Sequence, residues 1–236
     1  MTRKRRTISE IIERQVRQWQ QEPPAPDSRT TPRGQQPVVT ISSAYGALGA
    51  DIGRMVAGQL GFDLFDRELV DRVAESARVR QQIVASLDER QQDLISEYIA
   101  GQFSSDTFTS SDYLRHLCRV TLTIGHHGRA VLIGRGSQFI LEPERTLRVR
   151  TVAPLQTRVS RISATQDLSL KEARAEVLQR DAERQAFCRL HFNRDVLDPL
   201  AYDLVINTAH SGLEQAALMV RHAFETRFGP VRAGRR

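Results

Sequence analysis

From Val38 onward, short apolar runs alternate with stretches of helical periodicity, and this alternation constrains the fold more than any other property of the 236-residue chain. VVTIS at 38–42 leads into a helical segment from Ile52 to Leu60, and FDLF follows at 62–65. Further runs stand at 130–134 (AVLIG), 147–152 (LRVRTV) and 203–206 (DLVI), each beside a helical segment. Short apolar runs separated by helices are the pattern of βαβ units, in which helices cover a parallel sheet. The expected class is α/β, a three-layer doubly wound parallel sheet of about five strands. Residues 67–128 lack a convincing strand and read as several helices, with Ser111 or Asp112 capping the one that runs to His127. A last helix is expected from Ser211 or Gly212 to about Arg227.

The rest of the chain sets boundaries. Ile8, Ile11, Ile12, Val16 and Trp19 recur at helical spacing, so residues 7–20 read as a short amphipathic helix that needs something to pack on. Pro23, Pro24, Pro26, Pro32 and Gly34 among polar residues make 21–36 a linker. The organisation expected is therefore an arm at 1–36, a domain at 37–228 and a frayed tail at 229–236. The arm is a candidate surface for a protein partner or a second copy of the chain. No apolar run approaches the roughly 20 residues of a membrane span. The polar start MTRKRR lacks the apolar core of a secretory leader, so a cytoplasmic location and no membrane partner are expected. Cys118 and Cys188 are too few for a disulfide framework and read as reduced, structural thiols.

Net charge is +6, and with Lys4 and Lys171 the only lysines, nearly all the positive charge is arginine. Arginine's planar fork suits bidentate phosphate binding. Much of it lies between Arg145 and Arg194.

The first strand ends in SSAYGALGADIG, a small-residue turn between strand and helix, where free amides and the helix dipole converge on an anion. Against the mononucleotide pattern G-x-x-x-x-G-K-[ST], the loop offers Ser43, Leu48, Gly49 and Ala50 at the four specified positions, so the lysine is missing. This loop, the following GFDLFDRELVDRVA, the strand VLIGRGSQFIL, the segment LRVRTVAPLQTRVSRI and the closing YDLVINTAHSGLEQA together resemble the cytidylate kinase-like family, in order and spacing, over roughly 37–222. In that family the loop resembles S-R-x-[YF]-G-S-G-G-x-x-I. Tyr45, Gly46, Gly49 and Ile52 fit, whereas Ser43 replaces the arginine and Leu48 a glycine, and a leucine there is expected to crowd an approaching phosphate.

The resemblance implies a P-loop fold of the nucleoside-monophosphate-kinase type, with a helical insertion and a lid. It implies that Ser43, Tyr45, Gly46, Ala47, Leu48, Gly49, Ala50 and Asp51 surround the phosphates of a nucleoside triphosphate. Asp66, Arg72, Arg180, Asp181 and Arg184 would bind the monophosphate acceptor, and Arg135, Arg158, Arg161 and Arg184 would neutralise the transferring group. Mg²⁺ would accompany ATP, with Asp51 near enough in sequence to be considered as a ligand. Read from the residues alone, Asp66 is also a good helix cap, and Arg180 pairs naturally with Glu176 along a helix. Gly134-Arg135-Gly136 puts a guanidinium in a tight turn at the carboxyl edge of the sheet. Ser169 starts a capping box before SLKEA.

The function these features imply is phosphoryl transfer from ATP to a pyrimidine nucleoside monophosphate. The alternatives are a non-catalytic nucleotide sensor that keeps the fold, motivated by Ser43, Leu48 and Ala50, and nucleic-acid binding through the arginines, which predicts a steep salt dependence.

Overall fold

The computed structural model describes residues 36–104 and 111–231, together with Arg17 and Trp19. The chain forms two compact units, Pro37–Asp66 with Arg129–Arg236 and Met1–Gln36 with Arg67–Gly128. The amphipathic arm expected over 7–20 lies outside the described residues except for Arg17 and Trp19, which are both helical, as do residues 21–35 of the linker and the tail beyond Val231.

The first unit holds a parallel sheet of β1 (Val38–Ser43), β2 (Asp63–Phe65), β3 (Ala130–Ile133), β4 (Thr146–Val152) and β5 (Leu204–Asn207), in the order β2-β3-β1-β4-β5. In chain order the helices are α1 (Gly49–Leu60), α2 (Arg67–Glu75), α3 (Ala77–Val84), α4 (Glu89–Ser104), α5 (Asp112–His127), α6 (Ser137–Ile140), α7 (Leu155–Gln166), α8 (Leu170–Phe192) and α9 (Leu213–Phe228). Each strand sits within a residue or two of its place in the sequence pattern.

Strand alternation sorts the residues of the sheet into two faces. Val39, Ile41, Val131, Leu147, Val149 and Ile206 pack with Ile52, Val56, Ala57 and Leu60 of α1 and Ala216, Ala217, Val220 and Phe224 of α9. Burial of each large side chain here is worth about 1.5–3 kcal/mol, and Phe62 adds an edge-to-face contact with Phe224 at 5.2 Å. The register sets Ser42 of β1 beside Arg150 of β4. Both side chains therefore lie on the face away from α1 and α9. The chain leaves β1 toward β2 on one side and leaves β4 toward β5 on the other, so the carboxyl ends of β1 and β4 flank a topological switch point, where ligands of open α/β sheets bind.

In the second unit, α5 buries Leu114, Leu117, Cys118, Thr121 and Ile124 on one helical stripe. Ser111 is its N-cap, accepting from the Leu114 amide at 3.2 Å. Tyr113 Oη donates to Asp71 of α2 at 2.8 Å. At the other end of α5, His127 Nε2 lies 2.7 Å from Ser86 Oγ, and the His127 ring stacks on Trp19 with centroids 4.0 Å apart. Among the described residues no helix is long and apolar enough to cross a membrane.

Candidate functional site

The loop after β1 is shaped by three close approaches. Gly46 adopts φ +82° and lies on the backbone of α7, where a Cβ would come within 3.0 Å of Arg158 O. Gly49 faces the end of β1, where a Cβ would lie 2.3 Å from Ser43 Cβ. Leu48 takes the left-handed conformation (φ 61°, ψ 15°) as N-cap of α1, and its side chain packs, half-buried, against the core beneath the sheet. The leucine expected to crowd the loop is thus turned into the hydrophobic core. The amides of Leu48, Gly49 and Ala50 make no hydrogen bond among the described residues, and they sit at the positive pole of α1. Ser43, in the place of the family's arginine, serves the strands: its Oγ donates to Ala44 O at 2.8 Å and accepts from Thr151 Oγ1 at 2.8 Å.

Tyr45 joins the loop to the pair α7 and α8. Its amide donates to Asp181 Oδ1 at 2.9 Å, and its hydroxyl lies 3.0 Å from Glu176 Oε1 and accepts from Gln166 Nε2 at 2.7 Å. Burial, reinforced by Glu176, pushes the phenol above its ordinary pKa, so the hydroxyl stays a donor to that carboxylate. The start of α8 is fixed by the capping box expected at Ser169, with Glu172 as its reciprocal partner.

Among the arginines, Arg158 and Arg161 hold loop carbonyls. Arg158 donates to Tyr45 O at 3.1 Å and Ala153 O at 3.0 Å and pairs with Asp181 Oδ2. Arg161 donates to Gly46 O at 3.3 Å, Thr208 Oγ1 at 2.9 Å and Thr208 O at 2.6 Å. Arg184 meets the other oxygen of Asp181 at 3.2 Å. Arg180 is more exposed, between Glu176 at 3.6 Å and Glu183 at 3.7 Å, and its guanidinium stands 6.0 Å from the Tyr45 ring centroid. The resemblance set Tyr45 and Gly46 at the donor phosphates, Asp181 at the acceptor and Arg158, Arg161 and Arg184 at the transferring group; the fold joins Tyr45, Arg158 and Arg184 to the Asp181 carboxylate and Arg161 to Gly46 O. Thr208, at the end of β5, belongs to the same cluster and carried no sequence signal.

Arg135 lies at the carboxyl end of β3 between two glycines, and all three residues have positive φ. A Cβ at Gly136 would lie 2.1 Å from the Phe192 ring, so α8 closes directly on this turn, and the Arg135 guanidinium stands 5.0 Å from the Phe187 ring centroid. Asp51 pairs with Arg54 at 2.8 Å on the exposed side of α1. Asp66 is exposed at the end of the segment that carries β2. Arg72, in the helical unit, bonds Glu68 of its own helix at 2.8 Å.

On the other face of the sheet lies a group that the sequence reading passed over, in which Arg150 is buried beside Ser42, Gln138 and Tyr202. Arg150 Nη1 donates to Ser42 Oγ at 3.0 Å and Tyr202 Oη at 3.4 Å, and Gln138 Nε2 donates to Tyr202 Oη at 3.4 Å. LRVRTV shows a charge inside an apolar strand, but only the sheet order, with β4 between β1 and β5, shows that it is buried. Both cysteines are buried and free, and burial raises Cys118 to about 12 and Cys188 to about 11, as expected of inert thiols.

A family model described as "Cytidylate kinase-like family" matches residues 38–210, the stretch that contains the loop, the arginine cluster and every strand. The chain belongs to the cytidylate kinase-like family. It is 30% identical over 96 residues to a cytidylate kinase of Ignicoccus hospitalis, covering 41% of this chain and 56% of that one. It is 26% identical over 98 residues to a cytidylate kinase of Staphylothermus marinus, covering 42% and 55%. The chain thus spans about half the length of the curated relatives it matches. A solved structure of an uncharacterised protein from Eubacterium ventriosum shares the fold, with a TM-score of 0.57 at 15% identity, over 81% of this chain and 99% of that one. The sheet and its helices make this a kinase-type α/β fold within that family.

A protein-held Mg²⁺ fits these residues poorly. Ala50 offers no hydroxyl at the position where a P-loop supplies one, and Asp51, the acidic side chain in the first turn of α1, is engaged by Arg54.

Proposed function

We propose that this nucleotide-kinase-like protein transfers a phosphoryl group from ATP to a nucleoside monophosphate, with pyrimidine acceptors favoured by its relatives. The observation that carries the reading is the trio of amides at Leu48, Gly49 and Ala50, without a hydrogen bond among the described residues and placed at the positive pole of α1 beside the switch point. Phosphoryl transfer is mostly positioning and charge neutralisation, so a loop without lysine can serve if guanidinium groups stand near it. Arg158 and Arg161 fix the loop through its carbonyls, which aims the amides outward. Arg184, and Arg135 from the end of β3, supply charge for the phosphoryl group, while Asp181 with Arg180 and Arg184 reads the acceptor. Mg²⁺ would arrive as part of the MgATP substrate rather than on side chains. Incubation of CMP, UMP, AMP and GMP with labelled ATP tests the reading: a labelled diphosphate from CMP or UMP is expected, and no transfer above blank at high enzyme concentration would overturn it.

A second reading, a nucleotide sensor without turnover, is favoured by one observation. Arg158, which bonds the loop at Tyr45 O, and Arg184 are both paired with Asp181, so part of the positive charge offered there is already neutralised. Calorimetry separates the two, since ATP binding without transfer is the sensor's signature.

A further inference from the structure

Arg150 stands in β4 between β1 and β5, 6% exposed, on the sheet face opposite α1. Both of its hydrogen bonds leave from Nη1, to Ser42 Oγ and Tyr202 Oη, and the guanidinium lies 5.5 Å from the Tyr202 ring centroid. Among the described residues no carboxylate pairs with it. Its neighbour Arg148, two residues earlier in the same strand, shows what a matched arginine looks like: Nη2 and Nε bind Asp203 at 2.8 and 3.2 Å. A buried cation without a counter-charge is costly, and selection for stability alone favours an apolar residue in its place.

A side chain beside Arg150 carries the same imbalance. Gln138, whose Nε2 shares Tyr202 Oη with Arg150, is 5% exposed, and its Oε1 has no partner among the described residues. Two unmatched features thus meet around Tyr202: the Nε and Nη2 edge of a guanidinium and an amide oxygen. One ligand satisfies both if it brings an oxyanion for the fork and an O–H or N–H for the amide oxygen. A nucleoside monophosphate has both.

We propose that Arg150, with Ser42, Gln138 and Tyr202 around it, is a recognition site for the phosphate monoester end of the acceptor. The word acceptor rests on the phosphotransferase reading; the anion site does not. The donor's phosphates are assigned to the pole of α1, and Arg150 lies across the sheet from that helix.

The test uses the full chain and its Arg150→Met and Arg150→Lys variants, titrated with CMP, cytidine, inorganic phosphate and ATP, with melting followed in parallel. Loss of charge-assisted hydrogen bonds is expected to weaken CMP and phosphate binding by about 10- to 100-fold in Arg150→Met. Lysine is expected to restore part of that loss. ATP binding should be unchanged, and the ligand-free Arg150→Met protein should melt no lower than the parent, because an unmatched charge has been removed. A purely structural arginine gives the opposite, a lower melting temperature with CMP affinity intact, and that result overturns the proposal. So does a parent protein that binds neither CMP nor phosphate. If CMP binding depends on Arg150 but no transfer from ATP occurs, the site stands and the kinase reading falls. If transfer occurs with the CMP KM unchanged in Arg150→Met, the kinase reading stands and the site falls.

Discussion

The Tyr45 amide donates to Asp181 Oδ1 at 2.9 Å, joining residues 136 apart in the chain and tying the loop after β1 to the middle of α8. The same carboxylate pairs with Arg158 and Arg184, so one side chain sets both the loop and the charge beside it. Arg158 is 11% exposed and would be left without its carboxylate in Asp181→Ala. That variant is expected to lose about 2–4 kcal/mol of stability, read by urea denaturation. Asp181→Asn keeps an acceptor for the amide and should recover part of the loss. Equal losses in the two variants would show that the charge, rather than the hydrogen bond to Tyr45, carries the effect.

Gly49 tests the fit between the loop and β1. A methyl group there meets Ser43 Cβ at 2.3 Å and Ser43 Oγ at 2.6 Å, closer than a Cβ comes to an unbonded atom. Gly49→Ala should cost about 1–3 kcal/mol by forcing the loop off the strand. Because the obstructing atoms belong to the Ser43 side chain, Ser43→Gly in the same chain should relieve most of that cost. A double-mutant cycle measures it, and additive losses would mean that the loop, not Ser43, resists the methyl group.

The five strands were legible because each apolar run is bounded by turn residues, and the capping box at Ser169 and the cap at Ser111 were legible because local chemistry decides them. That Tyr45, Arg158, Asp181 and Arg184 belong to a site at all came from block order shared with a family; that they meet at one carboxylate came only from the fold. Leu48 could not be placed in advance: only the left-handed backbone at that position turns its side chain into the core. Arg150 was overlooked for a different reason. A charge inside an apolar strand reads as an exposed alternate position, and the burial of that face depends on residues such as Tyr202 that are distant in sequence.

Leu48 combines two opposed terms. Its left-handed backbone costs about 1–2 kcal/mol for a residue with a Cβ, and its half-buried side chain returns a similar amount through the core. Leu48→Gly removes both. The expected change in stability is below about 1 kcal/mol, against the 2–5 kcal/mol typical of a deleted core leucine. A loss in the larger range would show that packing dominates and that the backbone strain is slight.

The ladder between Arg148 and Asp203 gives the fold a dependence on acid. Burial raises the Asp203 carboxyl, but hydrogen bonds from the Arg148 side chain and amide, and the charges of Arg148 and Arg227, outweigh it and hold the group below its ordinary value. A carboxyl whose folded pKa is depressed adds stability above its unfolded pKa, near 3.9 for aspartate, and loses it as pH falls through the folded value. Asp203→Asn should therefore be less stable than the parent at pH 7, with the gap constant down to about pH 5 and closing below about pH 4. Denaturant titrations at a series of pH values measure that gap. A difference independent of pH would assign the stabilisation to the hydrogen bonds alone, since asparagine cannot lose a charge.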